Sequence, residues 1–501
     1  MTPPPNNFLE NSLTFVSGIF VSQILQEGHL SRKYLAVVAI FMSLCIQSLL
    51  RPSPPIWLEE ICQKLQDSDK SLSTLDLSHP RIDDVFARLV ASALCENQVV
   101  TTVILSCYAI VDDGAHALGK ALTEHKPLSK LQLRDLRNQR EINIFFGLLA
   151  EHGSIQEISL RHCNVCMRSV NSILQFLQKH PNLKELRMVD CQIDEAAQRV
   201  LFQQGVKGHP SLERLYMIHV GISEASAPFL ADMLLEGSLE ELHLCENDLQ
   251  DEGLAALAAS LVHNKMLRHL DLRSNGISDQ AVLSLQGILV SNTSLSTLVL
   301  SDNNIGDLGI TALSRGLANA TCNLRMLDLS ENEISVKGAT ALSKSLRSNK
   351  RLQDLNLSFN PIEDQGATLL AAAIVRNRTL HCLTMRRCGI SDQGALGISH
   401  HLPRMHGLKE LILTKNKITG KGLGALLYGI RQNVQIEHLL VQDKTDPISR
   451  EILHYTRLNK AGRRVFRQTN AVHPSLWPKV YGRISSDLDM LYYFAKEGPI
   501  R

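Results

Sequence analysis

Leucine and other aliphatic residues along this chain follow a six-residue pattern, Leu-x-x-Leu-x-Leu, that returns at a nearly constant interval. In the copy that begins at Leu352, the apolar residues Leu352, Leu355 and Leu357 alternate with Asp354 and Asn356. Such alternation places apolar and polar side chains on opposite faces of a short β-strand. Fourteen copies, spaced 27 to 29 residues apart, begin at Leu72, Val100, Leu128, Ile155, Leu183, Leu212, Leu239, Leu267, Leu295, Leu324, Leu352, Leu380, Leu408 and Ile436.

The rest of each interval has the periodicity of a helix. After Asp364, Leu370 and Ile374 lie four residues apart, and Gly366-Ala367 supplies small side chains where helix and strand must approach closely. A unit of one strand and one helix cannot bury its apolar face without neighbours. The pattern therefore predicts an α/β fold: a horseshoe-shaped repeat solenoid with an inner parallel β-sheet and outer α-helices.

The ninth position of many copies is an asparagine. Its side-chain amide can both donate and accept, so a stack of such residues can satisfy backbone groups where each chain leaves its strand. The asparagines are Asn247, Asn275, Asn303, Asn332, Asn360 and Asn416. The same position holds Leu136, Cys163, Cys191, Val220 and Cys388 in other copies. Because a thiol is only a weak donor, we expect looser geometry in the early repeats.

One copy shows the consensus with few departures. Its defining residues are Leu324, Leu327, Leu329, Asn332, Ile334, Gly338, Ala339 and Leu342. This set resembles the ribonuclease-inhibitor-like subfamily of leucine-rich repeats, which also occurs in Ran GTPase-activating protein and in the sensor arm of NOD-like receptors. The resemblance covers about residues 70–445 and implies the horseshoe fold. It does not define a function, because members of the subfamily inhibit, scaffold, sense or activate.

Composition narrows the class of partner. Lys and Arg total 52 against 50 Asp and Glu, and aromatic residues make up only 5% of the chain. Neither a basic excess nor a supply of stacking platforms is present, so we predict no specific nucleic-acid partner. The 11 cysteines lie mostly inside repeats. That distribution favours free thiols in a reducing compartment and a cytoplasmic protein.

The two ends of the chain differ from the repeats. We expect residues 1–55 to form an N-terminal leader with a hydrophobic segment at residues 34–50. This segment is shorter than the roughly 20 apolar residues of a spanning helix, and Ser43 and Gln47 interrupt it. The cytoplasmic interpretation is therefore favoured, with a membrane anchor through residues 34–50 as the alternative.

The predicted solenoid occupies residues 56–445 and includes a short helix that caps the first repeat. Residues 446–501 are expected to form a helical C-terminal cap, because a solenoid must cover its last apolar face. A separate docking module in residues 446–501 is the alternative.

Two motifs with the spacing of a phosphate-binding loop and of a zinc site are weak indications of chemistry. Residues 114–121 have the glycine spacing of a phosphate-binding loop, but Ala121 stands where a hydroxyl should bind magnesium. Cys163 and Cys166 have zinc-ligand spacing without a second pair. We therefore predict no catalytic residue, no cofactor and no metal site, and a protein that is not an enzyme.

The polar strand positions define a predicted partner-binding face. Its charges form three segments, which would orient a protein partner, and aromatic residues beside arginine are common interface anchors. The early basic segment contains Arg134, Arg161, Arg187, Arg214 and Tyr216, the middle acidic segment Asp271, Asp302, Asp328, Asp354 and Phe359, and the late basic segment begins at Arg386.

The sequence thus predicts a monomeric scaffold or binding module whose partner is another protein, contacted through the concave face of the repeats. A GTPase-activating protein for a small GTPase of the Ran type is the enzymatic alternative. A membrane-tethered, receptor-like binder is the third possibility.

Overall fold

The structure, a computed structural model, describes residues 56–78, 82–441, 446–461 and Arg463. The predicted leader and most of the predicted C-terminal cap lie outside the described residues. The chain divides into two compact units, Met1–Ile61 and Cys62–Arg501, and every repeat belongs to the second. Among the described residues, no helix has both the length and the apolar character needed to cross a membrane.

Fourteen parallel strands in the described part of the second unit form one sheet, in which each strand pairs with those of the adjacent repeats. Each predicted copy of the pattern supplies one strand of this sheet. The strands are β1 (Thr74–Leu77), β2 (Thr102–Ser106), β3 (Lys130–Arg134), β4 (Glu157–Arg161), β6 (Glu185–Val189), β8 (Arg214–Ile218), β9 (Glu241–His243), β10 (His269–Asp271), β11 (Thr297–Val299), β12 (Met326–Asp328), β13 (Asp354–Asn356), β14 (Cys382–Thr384), β15 (Glu410–Ile412) and β16 (His438–Leu440). Two short strands, β5 (Asn164–Val165) and β7 (Gln192–Ile193), form a separate parallel pair.

A helix follows each of the first thirteen strands of the large sheet, and each packs against helices of adjacent repeats. Packed helices lie about 8–10 Å apart, whereas paired strands lie about 4.8 Å apart, so the sheet side of the second unit is the concave side. The helices are α1 (Ile56–Gln66), α2 (Asp84–Glu96), α3 (Asp112–Glu124), α4 (Gln139–Leu149), α5 (Met167–Lys179), α6 (Glu195–Val200, continued by a π-helical segment, Leu201–Val206), α7 (Ala227–Leu235), α8 (Gln250–Leu261), α9 (Asp279–Ser291), α10 (Asp307–Leu317), α11 (Val336–Ser348), α12 (Glu363–Ile374), α13 (Asp392–His401, followed by a 3-10 turn, Leu402–Arg404), α14 (Gly420–Gln432) and α15 (Pro447–Ala461).

The predicted apolar positions form the core. Leu355 and Leu357 of β13 and the turn after it are buried, as are Leu370 and Ile374 of α12. In the sheet, Leu355 is paired in register with Leu327 on one side and Leu383 on the other. Equivalent leucines of successive repeats therefore stack, and each repeat completes the core of the next.

The asparagines form a ladder that closes each strand. The Asn303 amide nitrogen donates to the backbone carbonyls of Leu272, Leu300 and Ser301 at 3.0–3.1 Å. Its side-chain oxygen accepts from the backbone N–H groups of Asn275 and Ile277. One side chain thus satisfies backbone groups of two repeats, as the sequence predicted.

The early repeats, where we expected looser geometry, differ from the later ones in the length of their strands. Strands β2, β3, β4, β6 and β8 are five residues long, whereas the strands from β9 to β16 have three. The residue at the ninth position does not determine this length alone, because β14, whose repeat has Cys388 there, also has three residues. The thiols of Cys163 and Cys388 contact the Leu133 and Leu357 carbonyls at 3.9 and 3.2 Å, the type of carbonyl that asparagine contacts elsewhere.

Each end of the described array has a helix beside it. Within the second unit, Leu65 at the end of α1 is fully buried, and its carbonyl accepts from the Asn97 amide at 2.9 Å. Helix α15 packs on α14 and β16, and it buries Ile452 and Leu458. The Asn459 amide donates to the Ile436 carbonyl at 2.9 Å. These contacts support the proposal that this segment is a C-terminal cap.

Candidate protein-binding surface

The third, fifth and seventh positions of each repeat form the face of the sheet that the helices do not cover, which we call the open sheet face. In β3 and β4 these positions are at least partly exposed and alternate with buried positions four and six. The eleven predicted partner-binding residues lie on this face or at its edge. Arg214 and Asp354 occupy third positions, Arg187, Tyr216, Asp271 and Asp328 fifth positions, Arg134, Arg161 and Arg386 seventh positions, and Asp302 and Phe359 eighth positions.

The eighth position has a left-handed backbone in eleven successive repeats, from Asp135 to Lys415, with φ between 50° and 61°. This turn carries the chain out of the strand and projects the eighth side chain from the edge of the open sheet face. Asp and Asn tolerate this conformation, whereas a bulky side chain in it is an outlier. Phe359, with φ of 58°, is therefore a costly residue for the turn.

Three arginines of the early basic segment, Arg161, Arg187 and Arg214, pair with acidic neighbours. Arg214 Nε donates to Glu185 Oε2 at 2.9 Å, and Arg187 Nη2 donates to Glu185 Oε1 at 3.0 Å. Arg161 lies 3.5 Å from Asp190. Burial alone raises the pKa of Glu185, but its hydrogen bonds from Arg214 and Arg187 lower that pKa below its ordinary value. The segment is a network of alternating charges.

Three of the predicted residues, Arg134, Arg161 and Arg187, line one open depression on the early strands, with a volume of about 460 Å³. Glu157 and Glu185 lie in the same depression, and Arg214 pairs with both carboxylates at its edge. The structure thus brings the early arginines together, in a mixed rather than a basic environment.

A row of stacked side chains crosses strands β6, β8, β9 and β10, and we call Arg187, Tyr216, His243 and His269 the aromatic row. The guanidinium carbon of Arg187 lies 3.7 Å from the ring centroid of Tyr216. The Tyr216 and His243 rings are 4.2 Å apart and nearly parallel, and His243 and His269 are 4.5 Å apart. The Tyr216 hydroxyl donates to Glu241 at 3.3 Å. The sequence analysis missed the two histidines, although their third and fifth positions in adjacent repeats could have identified them.

Asp271 also departs from its predicted role as an exposed anchor. Its side chain is buried and lies 3.7 Å from His243 Nδ1 and 3.3 Å from Arg273 Nη2. Burial by itself raises the pKa of this carboxyl group, but the neighbouring His243 and Cys245 side chains and the Arg273 backbone N–H lower the pKa to about 2. Asp271 is therefore an ionised group held within the surface, where it orients its neighbours.

Asp302 and Asp328 line a second open depression, of about 570 Å³, together with Glu246, Glu331 and the cationic Arg273. Asp302 accepts from the Ser274 hydroxyl at 2.6 Å. Four carboxylates and one guanidinium thus surround this depression, which is acidic on balance. Asp354 is exposed on β13.

Phe359 forms the centre of a second arginine cluster. The guanidinium carbons of Arg386 and Arg387 lie 5.7 and 5.6 Å from its ring centroid, within the range of cation–π attraction. The structure thus connects the last residue of the predicted acidic segment with the first residue of the late basic segment.

The motifs tested for chemistry have structural roles. Gly114 and Gly119 lie within α3, and an added Cβ would approach Asp84 to 2.4 Å and Leu148 to 2.7 Å. These glycines therefore allow neighbouring helices to pack closely, which is a different role from binding phosphate. Cys163 is a buried residue of the strand-closing ladder, and Cys166 caps the N-terminus of α5.

Comparison with known proteins identifies the repeats. Seven segments match the family described as Leucine Rich repeat: residues 238–258, 263–285, 291–314, 321–343, 348–371, 376–399 and 406–427. They coincide with the repeats that carry the asparagine ladder and with the repeat of Cys388. These seven segments are therefore similar to leucine-rich repeats, and the predicted α/β solenoid is confirmed.

Two solved structures match this chain at low similarity. An internalin (inlF) from Listeria monocytogenes str. 4b F2365 is 17% identical, with a TM-score of 0.38, over 71% of this chain and 89% of that chain. A chain of the Rad7 and Elc1 complex in yeast is also 17% identical, with a TM-score of 0.39, over 78% of this chain and 96% of that chain.

Proposed function

We propose that this protein is a non-enzymatic interaction module that binds a protein partner through the open sheet face, with the aromatic row at the centre of the contact. The observation that carries the proposal is the stack of Arg187 on Tyr216, on the part of the sheet that the helices leave uncovered. Tyrosine and arginine are the side chains that most often dominate the energy of protein interfaces.

Preorganisation of this stack supports the proposal. Glu185 fixes the Arg187 guanidinium through two hydrogen bonds, at 3.2 Å to Nε and 3.0 Å to Nη2. Glu241 accepts from the Tyr216 hydroxyl, and His243 lies against the other side of the ring. Side chains that are already ordered lose little conformational entropy when a partner binds. The row therefore provides a rigid anchor.

The charge distribution suggests the chemistry of the partner. The acidic depression around Asp302 and Asp328 would accept a basic segment, whereas the alternating network around Arg214 favours a polar surface of mixed charge. Phe359, beside Arg386, would provide a second anchor. We propose a protein partner that presents a basic strip between two polar contact regions.

Two further assignments belong to this proposal. The period of the repeats and the alternation of Asn and Cys in the ladder support membership of the ribonuclease-inhibitor-like subfamily. Each of the ten cysteines in the described part of the chain is a free thiol. Free thiols support a cytoplasmic location, where the protein would act as a monomer.

Affinity capture with the full-length chain tests the proposal. Cell lysate is passed over immobilised wild type, Tyr216→Ala and Tyr428→Ala, and the retained proteins are identified by mass spectrometry. Tyr428 is a matched control, because it is 68% exposed on helix α14, away from the sheet. We expect a set of partners that Tyr428→Ala retains and Tyr216→Ala loses. Identical sets from all three proteins would contradict the proposal.

The GTPase-activating alternative is tested with the same captured material. A small GTPase among the retained proteins, whose GTP hydrolysis accelerates when the purified chain is added, would establish that alternative in place of a non-enzymatic role.

A further inference from the structure

Two neighbouring strands bring metal-binding side chains together on the open sheet face. His243 lies on β9, and His269 and Asp271 lie on β10, where Asp271 pairs in register with His243. One potential ligand atom from each of these three residues lies within 4.8 Å of the other two. In the sequence, the two histidines stand 26 residues apart, so only the stacking of adjacent repeats reveals the cluster.

Both imidazoles have a nitrogen that the protein leaves unsatisfied. His243 Nε2 and His269 Nε2 are buried, and neither has a hydrogen-bond partner within the described part of the chain. The Glu241 carboxylate lies 3.6 Å from His243 Nε2, which is too far for a hydrogen bond. Buried polar atoms without partners are costly and call for a physical reason. A ligand that both nitrogens bind would supply it.

The surrounding groups resemble the outer shell of a metal site. Arg273 Nη2 lies 3.3 Å from Asp271 Oδ2, and the Arg273 backbone N–H donates to Oδ1. The Tyr216 hydroxyl donates to Glu241, and Cys245 provides a buried thiol in hydrogen-bond contact with Asp271. Such contacts orient first-shell ligands and tune their affinity. Glu241 and Cys245 are also candidate fourth ligands.

We propose that His243, His269 and Asp271 bind a divalent transition-metal ion of the Zn²⁺ class. Two imidazoles and one carboxylate match the ligand preferences of Zn²⁺, Co²⁺ and Ni²⁺, whereas Ca²⁺ and Mg²⁺ prefer oxygen ligands alone. Metal–ligand bonds of about 2 Å hold two ligand atoms at most about 4 Å apart. Side-chain rotations that bring the ligand atoms about 1 Å closer together would therefore complete the site. The fourth position belongs to Glu241, Cys245 or a solvent molecule.

The metal ion would join β9 to β10 and fix the His243 ring. Tyr216 stacks on that ring at 4.2 Å, so the ion would order the centre of the aromatic row. The metal site extends the proposed function but does not depend on it, because metal binding requires no partner.

The test uses the purified, metal-free full-length protein. Zn²⁺ binding is measured by calorimetry, and Co²⁺ binding by its visible absorption, in wild type, His269→Asn, Asp271→Asn and His438→Asn. His438 is the matched control, because it occupies the same third position in β16 and lies 3.9 Å from Glu410. We expect one equivalent of metal in wild type and in His438→Asn, and binding weaker by more than about tenfold in the other two variants.

Two results would overturn the proposal: absence of stoichiometric binding to wild type, or equal affinity in wild type, His269→Asn and Asp271→Asn. Circular dichroism of the metal-free variants establishes that they are folded. X-ray absorption spectroscopy of the wild-type zinc complex provides a test without substitutions. We expect two imidazole ligands in the coordination shell of the zinc ion, and a coordination shell without imidazole would contradict the site. Partner capture by His269→Asn distinguishes the two proposals. If this variant loses the metal ion but retains its partners, the substitution has removed the metal site and left the proposed binding function intact.

Discussion

The Arg187 guanidinium carbon lies 3.7 Å from the centroid of the Tyr216 ring on the neighbouring strand, while Glu185 holds the same guanidinium through two hydrogen bonds. The residues come from separate repeats and have no relation in the sequence beyond their shared fifth position. Together they give a repetitive, mostly polar sheet one rigid anchor of aromatic and cationic character.

Arg187→Lys tests the stacking. Lysine keeps the charge but loses the planar group that stacks on Tyr216 and binds Glu185 at two points. We expect affinity for the captured partner to fall by about 1–2 kcal/mol, roughly tenfold, with little change in thermal stability. Calorimetry with the purified partner measures the change. Arg199→Lys is the control, because Arg199 of helix α6 lies over Phe229 of helix α7. Affinity that falls equally in both variants would contradict the role of the aromatic row.

Replacement of Phe359 with Asn should raise the stability of the protein and weaken partner binding. Phe359 has a left-handed backbone with φ of 58°, a conformation that Asn adopts at lower cost than Phe. We therefore expect Phe359→Asn to be more stable than wild type by about 0.5–1 kcal/mol. The variant also loses the ring between Arg386 and Arg387, so we expect weaker partner binding. Chemical denaturation and calorimetry measure the two effects. A less stable variant would show that the ring serves the fold.

Substitutions of Asn303, a residue of the asparagine ladder, should lower stability by different amounts. Asn303→Ala removes three donated and two accepted hydrogen bonds, and we expect the local repeats to lose about 2–4 kcal/mol. Asn303→Cys should cost less, because a thiol at this position contacts the preceding repeat's carbonyl, as Cys388 contacts Leu357. Chemical denaturation of the two variants compares them. Equal losses would show that the thiol contact contributes nothing.

A second ladder predicts acid sensitivity of the early repeats. His152, His180 and His209 lie three residues before successive repeat starts, and burial lowers the pKa of each below the ordinary 6.5. The unfolded chain therefore binds more protons than the folded chain as pH falls below 6.5, so the stability that these neutral rings provide is present above that pH and lost below it. We expect a decrease on the order of 1–3 kcal/mol between pH 7.5 and 5.

The control for this effect is present in the chain itself. Later repeats have an asparagine at the same position; for example, Asn377 donates to the Leu346 carbonyl and accepts from the Leu380 N–H. A variant with asparagine at positions 152, 180 and 209 should be less sensitive to acid than wild type. Denaturation at several pH values makes the comparison, and equal slopes in the two proteins would show that other groups control the response.

The leucine period predicted one strand in each copy of the pattern and the position of each candidate residue within its repeat, because the spacing alone determines these features. It did not predict which charges pair across repeats. Arg214 meets Glu185 because both occupy third positions of adjacent strands, a relation visible only once the repeats are aligned. The burial of Asp271 could not be predicted, since it depends on the side-chain packing of His243 and Cys245 around one carboxylate.

Cross-linking from defined positions tests partner binding on the open sheet face most directly. The photoreactive residue benzoylphenylalanine is placed at position 216, on strand β8, or at position 428, on helix α14, and each full-length protein is irradiated with the captured partner. We expect covalent partner complexes from position 216 and none from position 428. Cross-links from position 428 without any from position 216 would place the partner on the helices and contradict the proposed binding surface.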